Sequence, residues 1–371
     1  MFLAIRELRH AKARYALIAV IMVLVAFLVL FVTGLAQGLA YDSAAAVKNM
    51  KATHFILEEH SDNRFTRSQI GAEALEAARR IARAGNATPL SLRMTTLVPE
   101  GDSVKLDVTL FAVDLNGWLA PDTTEGLSPA ALSAGEIIAD DSLQESGVQL
   151  GSVLRDQASG LTWTVRGFVK HESFSHTPVV FLPAAAWSEL NALSAGGLTA
   201  KDGLYNAIAV QGSGETAEQL AQALPGTDVI TKGDAVSAIP GYKEEQGSLL
   251  MMIAFLYIIS AFVLAVFFYV ITIQKTVQFG ILKAVGARTR YLAQSVALQV
   301  LVLSAGSLVL STALVKLFEA ALPASMPFLL DTSTLVLTCL AFLVISLAGS
   351  LVSVWKVAKI DALDAIGRTA A

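Results

Sequence analysis

Leu249–Leu292 reads LLMMIAFLYIISAFVLAVFFYVITIQKTVQFGILKAVGARTRYL and decides the fold of this chain. Its first part is an uncharged apolar run that ends at Gln274 and is long enough to cross a hydrocarbon core about 30 Å thick. The segment that follows has no acidic residue and contains four basic ones, Lys275, Lys283, Arg288 and Arg290. Because cytoplasmic loops are enriched in lysine and arginine, the stretch predicts a membrane span followed by a basic cytoplasmic loop.

The composition of the 371-residue chain is that of an integral membrane protein, because 54% of its residues are hydrophobic and only 16% are charged. The formal net charge of −4 is unevenly distributed. Residues 42–245 contain 15 Lys and Arg against 26 Asp and Glu, whereas the N-terminal segment, the basic loop and the C-terminal tail together contain 11 basic and three acidic residues. The acidic part is therefore predicted to lie outside the cell, and both termini are predicted to be cytoplasmic.

Three further apolar runs are long enough to span a bilayer. The predicted fold class is a membrane α-helical protein with four transmembrane helices and an α+β extracytoplasmic domain inserted between helices 1 and 2. A cleaved signal peptide is the alternative for the first run, because GLAQGLA offers small residues, but the apolar core is longer than a signal peptide needs. The predicted segments are a cytoplasmic amphipathic helix at 1–14, span 1 at 15–41, the extracytoplasmic domain with its stalk at 42–246, span 2 at 247–273, a cytoplasmic segment at 274–291, span 3 at 292–317, an outer loop at 318–333, span 4 at 334–354 and a cytoplasmic tail at 355–371.

The inserted domain has a mixed pattern of helices and strands. Ser68–Ala84 has the periodicity of an amphipathic helix. Leu90–Val98 and Val104–Val113 alternate as strands on either side of PEGD, a hairpin-type turn. Asp234–Gln246 is predicted to form a helical stalk that leads into span 2.

The sequence lacks the motifs of the common hydrolases. GSGET at Gly212–Thr216 has no lysine, so it is not a phosphate-binding P-loop, and ATP hydrolysis by that mechanism is not expected in this chain. His171 and His176, with Glu172 between them, could form a metal site, but solvated polar residues are the simpler interpretation. The single cysteine, Cys339, cannot form a disulfide within the chain. We therefore expect no enzymatic activity and no intrinsic cofactor.

Two cytoplasmic stretches resemble a known family. QKTVQFGILKAVGARTRYL at Gln274–Leu292 is similar to the coupling segment of the FtsX-like, or MacB-type, permeases of ABC systems, and WKVAKIDALDAIG at Trp355–Gly367 is similar to their C-terminal signature. Within that family, Leu30–Ala40, Gly241–Ile253 and Phe267–Leu292 look like the haem-efflux permeases. The membrane segments, roughly half of the chain, carry this resemblance.

The resemblance implies a permease subunit that works as a homodimer in the plasma membrane with two copies of a separate ABC ATPase subunit, which binds ATP. Nucleic acid is not among the expected partners. The coupling residues would be Gln278, Phe279, Gly280, Lys283, Gly286 and Arg288. Phe279, Ile281 and Leu282 would present apolar side chains to a groove on the ATPase. The alternative is a basic loop that serves only topology and contact with anionic lipid.

Haem is the substrate that the resemblance implies. Tyr242, Glu245, Leu249 and Met252 share one face of a helix at the outer membrane boundary, and haem iron accepts oxygen and thioether ligands. The candidate binding residues are Glu245, Met252, Tyr242, Met50, Met251 and Glu244, and Glu245 and Met252 are the candidate iron ligands. Solvated stalk residues and ordinary lipid contacts are the alternative. An exporter of another hydrophobic compound, peptide or lipid, or an FtsX-type regulator of a cell-wall hydrolase, is the alternative function.

Overall fold

The computed structural model describes residues 12–194, 203–323 and 326–358. It divides into two compact units, one formed by Met1–Gly38 with Gly247–Ala371 and the other by Leu39–Gln246. The second unit is inserted into the sequence of the first. The predicted amphipathic helix at 1–14 and the tail at 355–371 lie largely outside the described residues.

Within the described residues, four helices are long and apolar enough to cross a membrane. Together with the α and β elements of the inserted unit, they confirm the predicted fold class. These helices and the short helix between the second and third are α1 (Lys12–Asp42), α7 (Tyr242–Gln274), α8 (Thr276–Ala284), α9 (Thr289–Glu319) and α10 (Thr332–Ala358).

The predicted helical stalk is divided in two. The helix α6 (Lys232–Ser237) ends before Pro240, and α7 begins at Tyr242 after Gly241, whose φ is +82°. A proline and a left-handed glycine both interrupt helical backbone, so Asp234–Gln246 is not one continuous helix.

The membrane unit packs around a core of apolar side chains from its four long helices, including Met22, Leu264, Val300 and Phe342. The helix α7 has the smallest buried share of the four long helices and leaves a broad apolar face exposed, with Phe255 and Phe262 59% and 69% exposed. An apolar face of this kind is suited to lipid or to another membrane helix.

Glycines of α1 allow the outer loop between α9 and α10 to approach closely. A Cβ on Gly38 would lie 2.2 Å from the carbonyl oxygen of Pro327, and a Cβ on Gly34 would lie 2.5 Å from the ring of Phe328. Pro327 and Phe328 of this loop therefore lie directly against α1.

The inserted unit is built on a mixed sheet that has eleven strands among the described residues, in the order β13-β1-β12-β3-β4-β10-β6-β8-β5, with β7 paired to β3 and β8, and β9 paired to β10. A separate two-stranded sheet pairs β2 with β11. The strands are β1 (His54–Glu58), β2 (Ile70–Gly71), β3 (Ala87–Pro99), β4 (Leu106–Val113), β5 (Glu125–Gly126), β6 (Glu136–Asp140), β7 (Val153–Asp156), β8 (Thr162–Val169), β9 (Ser173–Phe174), β10 (Thr177–Pro183), β11 (Leu204–Tyr205), β12 (Ala207–Val210) and β13 (Thr227–Thr231). The helices of this unit, besides α6, are α2 (Ala45–Asn49), α3 (Ala72–Ala82), α4 (Ala184–Ser194) and α5 (Gly214–Ala223).

The predicted hairpin is present, because β3 and β4 pair antiparallel from Ser91–Ala112 to Leu97–Leu106. The predicted helix at Ser68–Ala84 is shorter, since Ile70 and Gly71 form a strand before α3 begins at Ala72. The strand β1 was not predicted, and its residues Phe55, Ile56 and Leu57 are all fully buried. A continuous apolar run of this length does not show the alternation that identifies a strand.

Candidate functional sites

The two ends of the inserted unit meet at one histidine. His176 lies in the turn between β9 and β10, Asp42 is the last residue of α1, and Glu245 lies in the first turn of α7. The His176 ring nitrogen Nδ1 is 3.3 Å from Oδ2 of Asp42, and Nε2 is 3.1 Å from Oε2 of Glu245. The imidazole therefore connects two carboxylates that are distant in sequence.

The turn that carries His176 is fixed to the end of α1 by its own backbone and side chains. The Ser175 amide donates to the Ser43 carbonyl at 2.8 Å, and the Ser173 hydroxyl donates to the Asp42 carbonyl at 2.6 Å. Ser175 and His176 have φ values of +51° and +61°. Left-handed backbone at residues other than glycine is unfavourable, so these hydrogen bonds hold a conformation that the turn alone would rarely adopt.

Lys48 lies between two tyrosines of this region. Its Nζ is 5.6 Å from the ring centroid of Tyr41 and 5.2 Å from that of Tyr242, and it donates to the Ala40 carbonyl at 2.9 Å. Burial lowers the pKa of Lys48 below its usual range. Tyr242 thus packs against a cation and the core of the inserted unit, with its side chain half-buried.

A second carboxyl group near this turn is strongly perturbed. Burial raises the pKa of Glu172 to about 8; the hydrogen bond from Asn49 opposes that rise, and the charges of Asp140 and Asp122 add to it. The Glu172 amide also donates to Oδ2 of Asp140 at 2.7 Å. Burial raises the pKa of Asp140 as well, so the two acids form a region in which protonation is favoured.

The candidate haem residues occupy different environments. Glu245 is 21% exposed at its side chain, Glu244 is exposed, and Met251 and Met252 are 58% and 45% exposed. Met50 is 7% exposed and packs in the core of the inserted unit, unlike the exposed Met251 and Met252. Among the described residues, no group of three or more His, Cys, Asp or Glu side chains could hold a metal ion.

The predicted coupling segment contains a short helix with one buried and one exposed face. Phe279 is 1% exposed and packs with Leu292 and Val296, and Gly280 is also buried. The expectation that Phe279 presents its ring to a partner is therefore wrong, because that ring is used inside the chain. Ile281 and Val285, which are 48% and 83% exposed, provide the apolar surface of this segment instead.

The segment ends in a glycine turn. Gly286, with φ of +99°, follows α8; its amide donates to the Lys283 carbonyl, and the Ala287 amide donates to the Leu282 carbonyl at 2.9 Å. This pair of hydrogen bonds is a Schellman motif, in which the left-handed position favours glycine. Gln278, Val285, Gly286 and Arg288 are all exposed around this turn, and Lys283 is half-buried.

A buried lysine lies where α7 meets α8. The Nζ of Lys275 donates to the Tyr15 hydroxyl of α1 at 2.5 Å and to Oε1 of Gln299 of α9 at 3.4 Å. Lys275 is 6% exposed and Tyr15 is 4% exposed. This polar cluster joins α1 and α9 to the junction of α7 and α8. A small cavity lined by Thr272 and Phe279 adjoins it.

Part of the membrane unit matches a known family. Residues 250–362, which cover α8, α9 and most of α7 and α10, match the model of the FtsX-like permease C-terminal family. The chain carries an FtsX-like permease domain. The family resemblance of the coupling segment is thereby confirmed.

The similarity to other proteins extends beyond the FtsX-like permease domain to nearly the whole chain. A candidate hemin transport system permease protein, HrtB, from Staphylococcus haemolyticus is 29% identical over 367 residues, with 99% of each chain covered. A second HrtB, from Staphylococcus epidermidis, is 28% identical over the same length. An uncharacterized ABC transporter permease of Mycobacterium tuberculosis is 24% identical over 370 residues, again with 99% of each chain covered.

Solved structures of extracytoplasmic regions were also matched. The periplasmic region of MacB from Actinobacillus actinomycetemcomitans has a TM-score of 0.37 and 13% identity, covering 51% of this chain and 93% of that one. The extracellular domain of the ABC-type transporter YknZ from Gram-positive bacteria has a TM-score of 0.34 and 15% identity, covering 48% of this chain and all of that one.

Some contacts join parts of the chain that are distant in sequence. The pairing of His176 with Glu245 joins residues 69 apart, and that of Lys275 with Tyr15, inside the membrane unit, joins residues 260 apart. Local patterns contain no signal for either contact. Lys275 reads in the sequence as one more charge of a basic loop, although it is buried in the fold.

Proposed function

We propose that this chain is the permease subunit of an ATP-driven ABC efflux pump that exports haem from the membrane or its outer leaflet. The observation that carries the proposal is the similarity to HrtB of Staphylococcus haemolyticus, which extends over 99% of both chains and so includes the inserted unit. The functional assembly is a homodimer in the plasma membrane, with both termini cytoplasmic and two copies of a separate ATPase subunit that hydrolyses ATP.

The proposed site of ATPase contact is the exposed face of the segment around α8. Ile281 and Val285 supply apolar contacts, and Gln278 and Arg288 supply polar ones. Helices with mixed apolar and basic surfaces dock well in grooves of partner proteins. Because Phe279 packs on Leu292 at the start of α9, movement of α8 would be passed to the membrane helices.

The proposed haem site lies at the outer part of α7. Glu245 and Met252 are about two turns apart on this helix, so they project from one face, and they are the candidate iron ligands. Tyr242, Glu244 and Met251 are the other proposed contacts. The exposed methionines would offer the apolar surface that a porphyrin requires.

Haem binding is tested by titrating haemin into the full-length chain in lipid nanodiscs and recording the Soret band. We expect a saturable Soret change that Glu245→Gln and Met252→Leu both weaken. Glu73→Gln and Met94→Leu, which alter an acid and an exposed methionine elsewhere in the inserted unit, are the matched controls and should titrate as wild type. The absence of a Soret change in the wild-type protein would reject haem as the substrate. Stimulation of the partner ATPase by a lipid or a hydrophobic peptide, without such a change, would assign the pump to that cargo.

A further inference from the structure

Each ring nitrogen of His176 contacts a different carboxylate. Nδ1 lies 3.3 Å from Asp42 and Nε2 lies 3.1 Å from Glu245. A neutral imidazole has only one N–H, so it can donate to only one of these acids, and the other contact needs a second proton. In the neutral ring, one of the two nitrogens therefore carries a lone pair that can bind a metal ion.

The contact with Asp42 has the form that supports metal ligation. A histidine that binds a metal through one ring nitrogen commonly donates its other N–H to a carboxylate, which fixes the tautomer and raises the basicity of the ligating nitrogen. In the tautomer that carries its proton on Nδ1, Asp42 accepts a hydrogen bond from that N–H and Nε2 keeps a lone pair on the side of Glu245. The imidazole is 42% exposed at its side chain, so a ligand can reach it from outside.

The proposed haem residue Glu245 lies at that same nitrogen. We infer that His176 is an axial ligand of the iron of bound haem through Nε2, oriented by Asp42, and that it takes the place assigned to Glu245. This inference rests on the proposed function. Porphyrin supplies four nitrogens to the iron, so a single protein ligand is sufficient. Ligation would use the lone pair of Nε2, while the N–H at Nδ1 stays hydrogen-bonded to Asp42.

The turn around His176 is built to hold the ring in place. Its left-handed backbone at Ser175 and His176 is retained by hydrogen bonds to the Ser43 and Asp42 carbonyls. Positive φ at both central residues is the common geometry of a two-residue hairpin, which Phe174 and Thr177 close here. Serine and histidine adopt it less readily than glycine or asparagine, so these hydrogen bonds help to fix the position of the ring. His171, in the preceding loop between β8 and β9, is also exposed and left-handed at φ of +57° and provides a matched control.

The test compares the haem complexes of the full-length chain in nanodiscs by absorption and electron paramagnetic resonance spectroscopy. Asparagine tolerates left-handed backbone, so His176→Asn and His171→Asn remove each ring with little change to the turn. We expect His176→Asn to lose the spectroscopic signature of the nitrogen ligand and His171→Asn to keep it. Asp42→Asn should weaken haem binding about tenfold, as expected when a supporting carboxylate is removed.

Chemical rescue separates ligation from a structural role. His176→Gly opens space at the same left-handed position, where glycine is unstrained. Added imidazole should restore the nitrogen-ligand signature in this variant, which it would not do if His176 only joined Asp42 to Glu245. Wild-type haem binding whose spectrum is unchanged in His176→Asn would overturn the inference and leave the proposed function standing. Failure of the wild-type chain to bind haem at all would reject the proposed function and the inference with it.

Discussion

The side-chain amide of Asn49 donates a hydrogen bond to Oε1 of Glu172 at 3.1 Å and another to the His171 carbonyl at 3.2 Å. It thereby links the end of α2 to the loop between β8 and β9. The carboxyl group it contacts has a pKa of about 8, so near neutral pH this link involves an acid that is mostly protonated.

Glu172 should make the stability of the chain depend on pH. Its pKa is about 8 in the folded chain, above the ordinary 4.5, so the folded state holds the proton more tightly and stability falls as pH rises from about 4.5 to 8. Glu172→Gln removes this loss. We compare the free energy of unfolding of the variant with that of wild type by thermal unfolding in detergent. The difference should be more favourable to the variant at pH 9 than at pH 5, by about 1 kcal/mol or more.

The exposed Glu218→Gln is the control for this change and should leave the pH dependence as in wild type. An equal difference between Glu172→Gln and wild type at the two pH values would contradict the prediction.

Gln299 should contribute to stability through the buried ammonium of Lys275. Gln299→Leu removes the carbonyl oxygen that accepts from Lys275 at 3.4 Å and from the Tyr15 hydroxyl at 3.3 Å. Buried polar groups that lose a partner cost about 1–3 kcal/mol, so we expect a melting temperature several degrees lower in detergent. Gln294→Leu, an exposed substitution on the same helix, should change it little. Equal melting temperatures for the two variants would show that the polar cluster does not stabilise the fold.

Gly38 should not tolerate a methyl group. Its Cβ would lie 2.2 Å from the Pro327 carbonyl oxygen, and backbone atoms cannot turn away as a side chain can. Gly38→Ala should therefore destabilise the membrane unit by about 1–3 kcal/mol in thermal unfolding. Gly306→Ala in α9 is the matched control, because no atom lies within 4 Å of the added Cβ. It should be neutral or stabilising, and a comparable loss there would refute the steric explanation.

A substitution on the exposed face of the coupling segment should weaken ATPase binding without lowering stability. Val285 is 83% exposed, so Val285→Glu should leave thermal stability unchanged and weaken co-purification of the ATPase subunit. Val104→Glu places the same charge at an exposed valine of the inserted unit and should have no effect on co-purification. Retention of the ATPase by Val285→Glu would sink the docking assignment.

Phe279→Ala, in contrast to Val285→Glu, should lower the stability of the chain. The ring is 1% exposed among Leu292 and Val296, so its removal should cost about 3–5 kcal/mol of stability. An unchanged melting temperature would contradict the packing seen here.

The spans could be predicted from sequence because apolar length is a local property. The helix register that places Tyr242 and Glu245 on one face is equally local, and α7 contains both residues. The burial of Phe279 was not predictable, since α8 is apolar on both faces and its packing depends on α9. The role of His176 was hidden for a related reason: its partners Asp42 and Glu245 come from the two ends of an inserted unit that sequence patterns treat separately.

The burial of Lys275 bears on how the chain is assembled. Its acceptors include Tyr15, 260 residues away in α1, and Gln299, 24 residues away in α9. These side chains can come together only after α1 and α9 have packed beside the end of α7. The polar cluster is therefore completed late in the assembly of the helix bundle, and not with the formation of any single span.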